Sequence, residues 1–173
     1  VISLSGGADS ATVATMVWLM VTLGLAELGH AEFCKKLGHL PSLAQIKMAE
    51  DIVGQILSCV YQSTRNSGDV TYNAARTVAQ AIGAKFLQWN IDTLVDGYVE
   101  TVSEAVGRKI TWHQDDTAMQ NIQARTRAPG AWLLANLTGA LLLTTSNRSE
   151  AAVGYATMDG DTAGGLAPIG GID

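Results

Sequence analysis

The segment SGGADS, Ser5 to Ser10, stands directly after the short apolar run Val1, Ile2 and Leu4 and directly before a long helical pattern. A strand that turns through adjacent glycines into a helix has the geometry of a phosphate-binding loop. The glycines let the backbone turn sharply and expose its N–H groups, while Ser5, Ser10 and the N-terminus of the next helix add donors for an anion. The expected ligand is a phosphate chain. No lysine closes the loop and no GxxxxGK[ST] string occurs anywhere, which excludes the ordinary P-loop of enzymes that transfer a γ-phosphate. Asp9 lies inside the loop. A carboxylate there repels phosphate unless a divalent cation separates the two, so Asp9 reads as a magnesium ligand.

With 173 residues, 47% of them hydrophobic and 16% charged, the chain can bury one full-sized core. One domain over residues 1–173 is expected. The formal net charge of -5 and the scatter of the 11 basic residues leave no dense cationic patch, which argues against a nucleic-acid partner. Cys34 and Cys59 are too few for a disulfide framework and lack metal-ligand spacing, so a reducing cytoplasm is the expected compartment. Both read as core or surface thiols. Ala11 to Leu28 is apolar enough to raise the question of a membrane span, which needs about 20 residues. Thr12, Thr15, Thr22, Gly24 and Glu27 interrupt it. Because it follows a phosphate loop, it reads instead as a helix buried on most faces, against a sheet and a second subunit, with no membrane partner. The chain opens on Val1 in mid-strand and stops at Asp173 straight after a Gly-rich stretch. It therefore reads as a piece of a longer protein, truncated at both ends.

Along the chain, Val1 to Leu4 is the first strand, and Asp9 and Ser10 open a helix to about Leu28 or beyond. Gly29 to Ser42 is an irregular connection marked by Gly38 and Pro41, and Leu43 to Val53 is weakly amphipathic and helical. A second strand is expected over Gln55 to Tyr61, followed by the polar run Gln62 to Asp69. A helix from Val70 to Ile82 ends at Gly83, and a third strand covers Lys85 to Ile91. Asp92 caps a helix to Val106 that Gly107 ends. One helix from Met119 to Leu137 and a strand from Leu141 to Thr145 complete the pattern. Strands alternating with helices imply a doubly wound α/β fold, a parallel sheet covered on both faces. Ligands of such sheets sit at the carboxyl ends of the strands, here at the loops after the first and last strands.

Two further segments carry chemistry. In DDTAMQNIQARTR, Arg125 and Arg127 sit two apart on a helix and face differently, so one can enter a nucleotide cleft while the other meets solvent or a partner. In LLTTSNRSE, Thr145 or Ser146 is placed to touch a nucleotide. Glu150, in the next turn, either shares a metal with Asp9 or complements the helix dipole. The Gly-rich YATMDGDTAGGLAPIGGID that follows, with Asp159 and Asp161, reads as a loop around substrate or as a surface linker.

The loop resembles SGGxDS of the Rossmann-like adenine nucleotide alpha hydrolase, or PP-loop, enzymes that split ATP to AMP and pyrophosphate. Taken together, SGGADS, NIQAR, the TSNRSE stretch and GYATMDGD resemble NAD synthetase in motif and in order. The match is close over Ser3 to Ser10 and Asp116 to Asp173, and residues 22–54 are longer than in compact ammonia-using members. By that resemblance Ser3, Leu4, Ser5, Gly6, Gly7, Ala8, Asp9, Ser10 and Thr145 hold ATP, and Asp9 and Glu150 hold magnesium and serve catalysis. Arg125, Glu150 and Asp161 contact the dinucleotide substrate. Met158 and Gly165 stand where some members carry a lysine and an aspartate for that substrate. The family's later lysine and Ser/Thr fall beyond Asp173, so residues 1–173 alone are expected to be nearly inactive.

The resemblance implies a ligase that amidates nicotinic acid adenine dinucleotide through an acyl-adenylate, using ATP and Mg2+. Ammonia would arrive free or, as the longer middle segment favours, from glutamine through an amidotransferase domain of a parent chain. Homodimerisation through this domain is implied, with the Ala11 to Leu28 helix as a candidate interface. The rival readings are another ATP pyrophosphatase, such as a GMP synthetase or a tRNA-thiolating enzyme, and a non-catalytic nucleotide-binding module.

Overall fold

A computed structural model describes residues 1–172. Asp173, the last residue of the Gly-rich segment, lies outside the described residues. Three parallel strands, β1 (Ile2–Ser3), β2 (Ser58–Ser63) and β3 (Lys85–Asn90), form a sheet in the order β1-β2-β3. Seven helices surround it among the described residues: α1 (Ala8–Lys36), α2 (Ala49–Ile56), α3 (Asp69–Ala81), α4 (Asp92–Val106), α5 (Asp116–Arg125), α6 (Arg127–Thr138) and α7 (Arg148–Val153). The strand period of two divides the core between the faces of the sheet. Ile2, Leu4, Cys59 and Tyr61 point to one side, where Val13 and Ala14 of α1, Ile52 and Val53 of α2, and Ala75 and Ala79 of α3 cover them. Val1 and Val60 point to the other, against Ala131 and Ala135 of α6 and Leu142. Each fully buried aliphatic side chain contributes about 1.5–3 kcal/mol. The doubly wound α/β expectation therefore holds.

The expected fourth strand, Leu141 to Thr145, shrinks to a single parallel bridge. Leu143 pairs with Ile2 on one side and with Leu166 on the other. Backbone bonds from Leu143 N–H to the Val1 carbonyl and from Thr144 N–H to the Leu166 carbonyl hold the segment extended. The Gly-rich tail is thus stitched onto the sheet beside the first strand, and Ile169 is buried in the main core. It is not a plain linker.

Several boundaries differ from the sequence expectation. The helical backbone of α1 breaks at Gly29, whose φ of 73° lies in the left-handed region, so the expected end near Leu28 holds; beyond this fold-back a second helical stretch runs to Lys36, where an irregular connection is expected. The fold-back lays the Phe33 ring over Gly24, where a Cβ would come within 2.6 Å of it. The helix expected over Leu43 to Val53 is instead a 3-10 turn, Pro41–Gln45, followed by α2. Because α2 runs on to Ile56, β2 begins at Ser58 rather than Gln55. Asp92 is the first residue of α4, not its cap. Ile91 holds the cap position, and the Asp92 carboxylate accepts from the Arg65 and Asn90 N–H groups instead. The helix expected from Met119 to Leu137 breaks into α5 and α6 at Thr126. Pro129 has no N–H to offer the Arg125 carbonyl, so the ladder is interrupted at that point.

Helix α1 also departs from the expectation of burial on most faces. By length and composition it could cross a membrane, with a mean hydropathy of 1.7 in a window only 17% buried. Ser10, Val13, Ala14 and Val21 are buried, whereas Leu19, Met20, Leu23 and Leu28 stand exposed. A helix apolar nearly all round has more apolar surface than one sheet face can cover.

Candidate nucleotide-binding cleft

The loop between β1 and α1 is closed on itself by its two serines. Ser10, only 3% exposed, donates its hydroxyl to the Gly7 carbonyl at 3.1 Å and accepts the Ser5 N–H at 3.2 Å. The Ser5 hydroxyl lies 3.1 Å from that of Ser10 and accepts the Gly7 N–H at 3.2 Å. Ser10 thus shapes the loop from inside, and Ser5 faces outward. The backbone here tolerates no side chain. Gly6 has φ 87°, and a Cβ on it would lie 2.3 Å from the Thr71 carbonyl oxygen in the first turn of α3. The first-turn amides of α1 have no carbonyl to bond and point at the space the loop encloses. Leu4 is fully buried beneath.

Beside the loop, at the carboxyl edge of the sheet, lies a cleft of about 420 Å³. Ser3, Ser5, Thr144 and Thr145 line one side, and Tyr61, Gln62, Thr64, Asn66, Ser67 and Thr71 line another. Arg127, Gly160 and Asp161 close the third. The register of the sheet builds its floor. Gln62 pairs with Trp89, so both side chains fall on the face of α6. The Trp89 indole N–H donates to Gln62 Oε1 at 3.1 Å, and Gln62 Nε2 donates to the Ser3 hydroxyl at 3.5 Å. A turn after β2 is set by Thr64, whose N–H donates to Ser67 Oγ at 2.9 Å and whose hydroxyl accepts from Asn66 N–H. Thr144 donates to the Asp161 carbonyl at 2.9 Å, which brings the Gly-rich tail over the cleft.

The sequence-derived residues separate into those that meet here and those that do not. Ser3, Ser5, Thr145 and Asp161 line the cleft. Asp9 stands in the first turn of α1 with no hydrogen bond or ion pair among the described residues. Glu150 completes a capping box at the start of α7. Its carboxylate accepts the Asn147 N–H at 3.3 Å, and its own N–H donates to Asn147 Oδ1 at 2.8 Å. Arg125 is exposed and donates Nε–H to the Met158 carbonyl at 3.0 Å, outside the cleft. The Met158 side chain is 67% exposed. Gly165 abuts Leu141, whose Cδ1 would lie 2.9 Å from an added Cβ.

Arg127, not Arg125, enters the cleft. Burial lowers its guanidinium pKa from the usual value, opposed by Asp161 and Tyr61. The loop after β2 and Arg127 were not assigned from sequence. The signal for the first was there, since the polar run Gln62 to Asp69 directly follows a parallel strand, where ligands of such sheets bind. The choice between the arginines needed the helix break at Thr126. Among the described residues no three His, Cys, Asp or Glu side chains converge as a metal cage. The free Asp9 carboxylate beside a phosphate loop nevertheless suits Mg2+, which takes one or two carboxylates and completes its shell with phosphate oxygens and water.

A glycine turn feeding a helix at the carboxyl edge of a parallel sheet, with a hydroxyl-lined cleft beside it, defines a nucleotide-binding α/β domain of the PP-loop class. Residues 1–173 match the model of the family described as NAD synthase, and the chain belongs to that family. The crystal structure of a glutamine-dependent NAD(+) synthetase from Cytophaga hutchinsonii superposes with a TM-score of 0.92 at 51% identity, over 99% of this chain and 31% of that one. The glutamine-dependent NAD(+) synthetase of Macaca fascicularis is 30% identical over 98% of this chain and 26% of its own length. The glutamine-dependent NAD+ synthetase of Acinetobacter baumannii, solved in complex with ADP, superposes with a TM-score of 0.69 at 26% identity, over 99% of this chain and 26% of that one. The chain therefore spans about a quarter to a third of the length of these relatives.

Proposed function

We propose that this domain amidates nicotinic acid adenine dinucleotide to NAD at the expense of ATP, releasing AMP and pyrophosphate. The observation that carries the reading is the serine-locked glycine loop at the sheet edge, in a chain 51% identical to a glutamine-dependent NAD(+) synthetase. ATP lies in the cleft with its phosphates on the loop, a placement supported by the relative solved with ADP.

In the first step a nicotinate carboxylate oxygen attacks the α-phosphorus, the bond from that phosphorus to the bridging oxygen breaks, and pyrophosphate leaves. In the second, ammonia attacks the carboxyl carbon of the acyl-adenylate. The C–O bond to AMP breaks, and the nitrogen gives up a proton to leave the amide. Ser5 and the first-turn amides of α1 hold the phosphate chain, with fixed donors that need no reorganisation as charge moves onto the departing group. Ser10 and Gly6 keep those donors in place, and Thr145 contacts the nucleotide. Asp9 and, turned from its capping box, Glu150 would hold Mg2+, which would supply charge neutralisation on the leaving pyrophosphate. Arg125, released from the Met158 carbonyl, and Asp161 contact the dinucleotide.

No protein nucleophile is required. Cys59 is fully buried, and burial pushes its thiol up to about 12, which leaves no thiolate at neutral pH. Glutamine-derived ammonia comes from a further domain of the parent chain, and a second copy of this chain seats on the exposed apolar side of α1. Residues 1–173 do not complete the reaction alone.

The test is AMP release from ATP by the protein at its natural length, with and without the dinucleotide acid, ammonia and glutamine. AMP that depends on the dinucleotide acid is expected, with glutamine replacing ammonia. ATP binding without such AMP would move the chain to another pyrophosphatase or to a binding module.

A further inference from the structure

We propose that Arg127 is the cleft's counter-charge for the phosphate chain of the bound nucleotide. The inference rests on the reading of this cleft as the ATP site. Three features of Arg127 fit together only if an anion is bound beside it. Arg127 is half-buried, yet no carboxylate lies within ion-pair distance of it among the described residues. Among the described residues it donates one hydrogen bond, a long one, from Nη1 to the Gln123 carbonyl at 3.4 Å. It is also the first residue of α6, where the helix dipole disfavours a cation.

A half-buried guanidinium with a single weak protein acceptor keeps most of its N–H donors turned to the cleft it lines. It is tolerated where a ligand supplies the missing negative charge, and its planar fork matches two oxygens of a phosphate. The neighbouring groups select the anion. Arg127 lines the same cleft as Ser5 of the phosphate loop and Thr144 and Thr145. Asp161, the nearest carboxylate in its electrostatic surroundings, accepts the Thr157 N–H at 3.2 Å rather than closing an ion pair. Among the described residues that line the cleft Arg127 is the only basic one, and Arg65, next to the lining residue Asn66, is tied to Asp92 and Asp96. Arg127 is therefore the cation that remains for the phosphates.

The experiment is calorimetric titration of ATP and of adenosine into the protein at its natural length, as wild type, R127Q and R127K, together with steady-state kinetics. R127Q is expected to weaken ATP binding by about 10- to 100-fold, the usual range for a charge-assisted hydrogen bond lost in a cleft. Adenosine affinity stays unchanged, and R127K recovers part of the loss. Equal losses for ATP and adenosine would show a merely structural role and overturn the assignment. Unchanged ATP affinity with a raised KM for the dinucleotide acid alone would give the site to that substrate instead and overturn it as well. If R127Q does not fold, R127M decides, because it keeps the apolar stem and removes the charge. A several-fold loss confined to ATP supports the proposal, and parallel losses or none defeat it. A wild type that binds ATP without releasing AMP removes the proposed reaction and leaves the Arg127 assignment standing; a wild type that binds no nucleotide removes both.

Discussion

At Thr126 the chain leaves one helix and enters the next, and the two arginines flanking that residue part company. Arg125 finishes α5 and holds the Met158 carbonyl, while Arg127 starts α6 and turns into the cleft. Their spacing told that they differ in direction, and only the break at Pro129 told which is which. Glu150 shows the same limit. Its carboxylate suits both a metal and a capping box, and the fold engages it in the box. A third residue, Asp115, makes a prediction about pH. Its carboxylate accepts two bonds from the Arg108 guanidinium, at 2.9 and 2.7 Å, and one from the Thr111 N–H. These bonds lower its pKa from 3.8 to about 2. Because the folded value lies below the unfolded one, the contribution to stability is complete above about pH 4 and fades as pH falls from there through 2. Carboxyl chemical shifts followed by NMR should place the Asp115 midpoint near 2 in the wild type and back near 4 in Arg108→Gln; a midpoint that Arg108→Gln leaves in place would remove the guanidinium as the cause.

At the level of elements, the loop and the helices it touches form one unit. Gly6 lies against the first turn of α3, so the phosphate loop is pressed between α1 and α3. Gly6→Ala meets both a left-handed φ and the Thr71 carbonyl, and it is expected to cost about 1–3 kcal/mol or more. Thermal melts should show the loss, and ATP affinity should fall with it because the donors can no longer converge. A variant with wild-type Tm and wild-type ATP affinity would show that the turn is not constrained as described. The strand–loop–helix element was legible because adjacent glycines and a following apolar run have few other uses. The fourth strand was less so. Leu141 to Thr145 has strand composition, yet ladder length depends on what lies beside it, and its neighbours Val1, Ile2 and Leu166 offer little length to pair with.

For the whole molecule, the unsatisfied feature is α1. Leu19, Met20 and Leu23 are 41%, 50% and 55% exposed on a helix whose opposite side builds the core. Exposed apolar surface of this kind marks an interaction face. With a second copy of the chain seated there, light scattering of the natural-length protein gives a dimer mass, and the double variant Met20→Glu, Leu23→Glu gives a monomer with unchanged far-UV dichroism. A wild type of monomer mass would rule that interface out. Helix α4 also carries an exposed apolar strip, Leu94, Tyr98, Val102 and Val106. Its exposure adds to the uncovered surface without naming a partner.

The sequence by itself determined the class of fold and the place of the glycine loop, because both rest on local rules of strand, turn and helix that act within a few residues of one another, and its motifs carried the resemblance to the family. Tertiary structure decided the rest of the site: that Ser10 locks the loop, that Gln62 and Trp89 reach across to Ser3, that the loop after β2 forms a wall, and that Arg127 rather than Arg125 enters the cleft. Those facts depend on strand register and on where a helix breaks, and neither exists until distant segments are packed against each other.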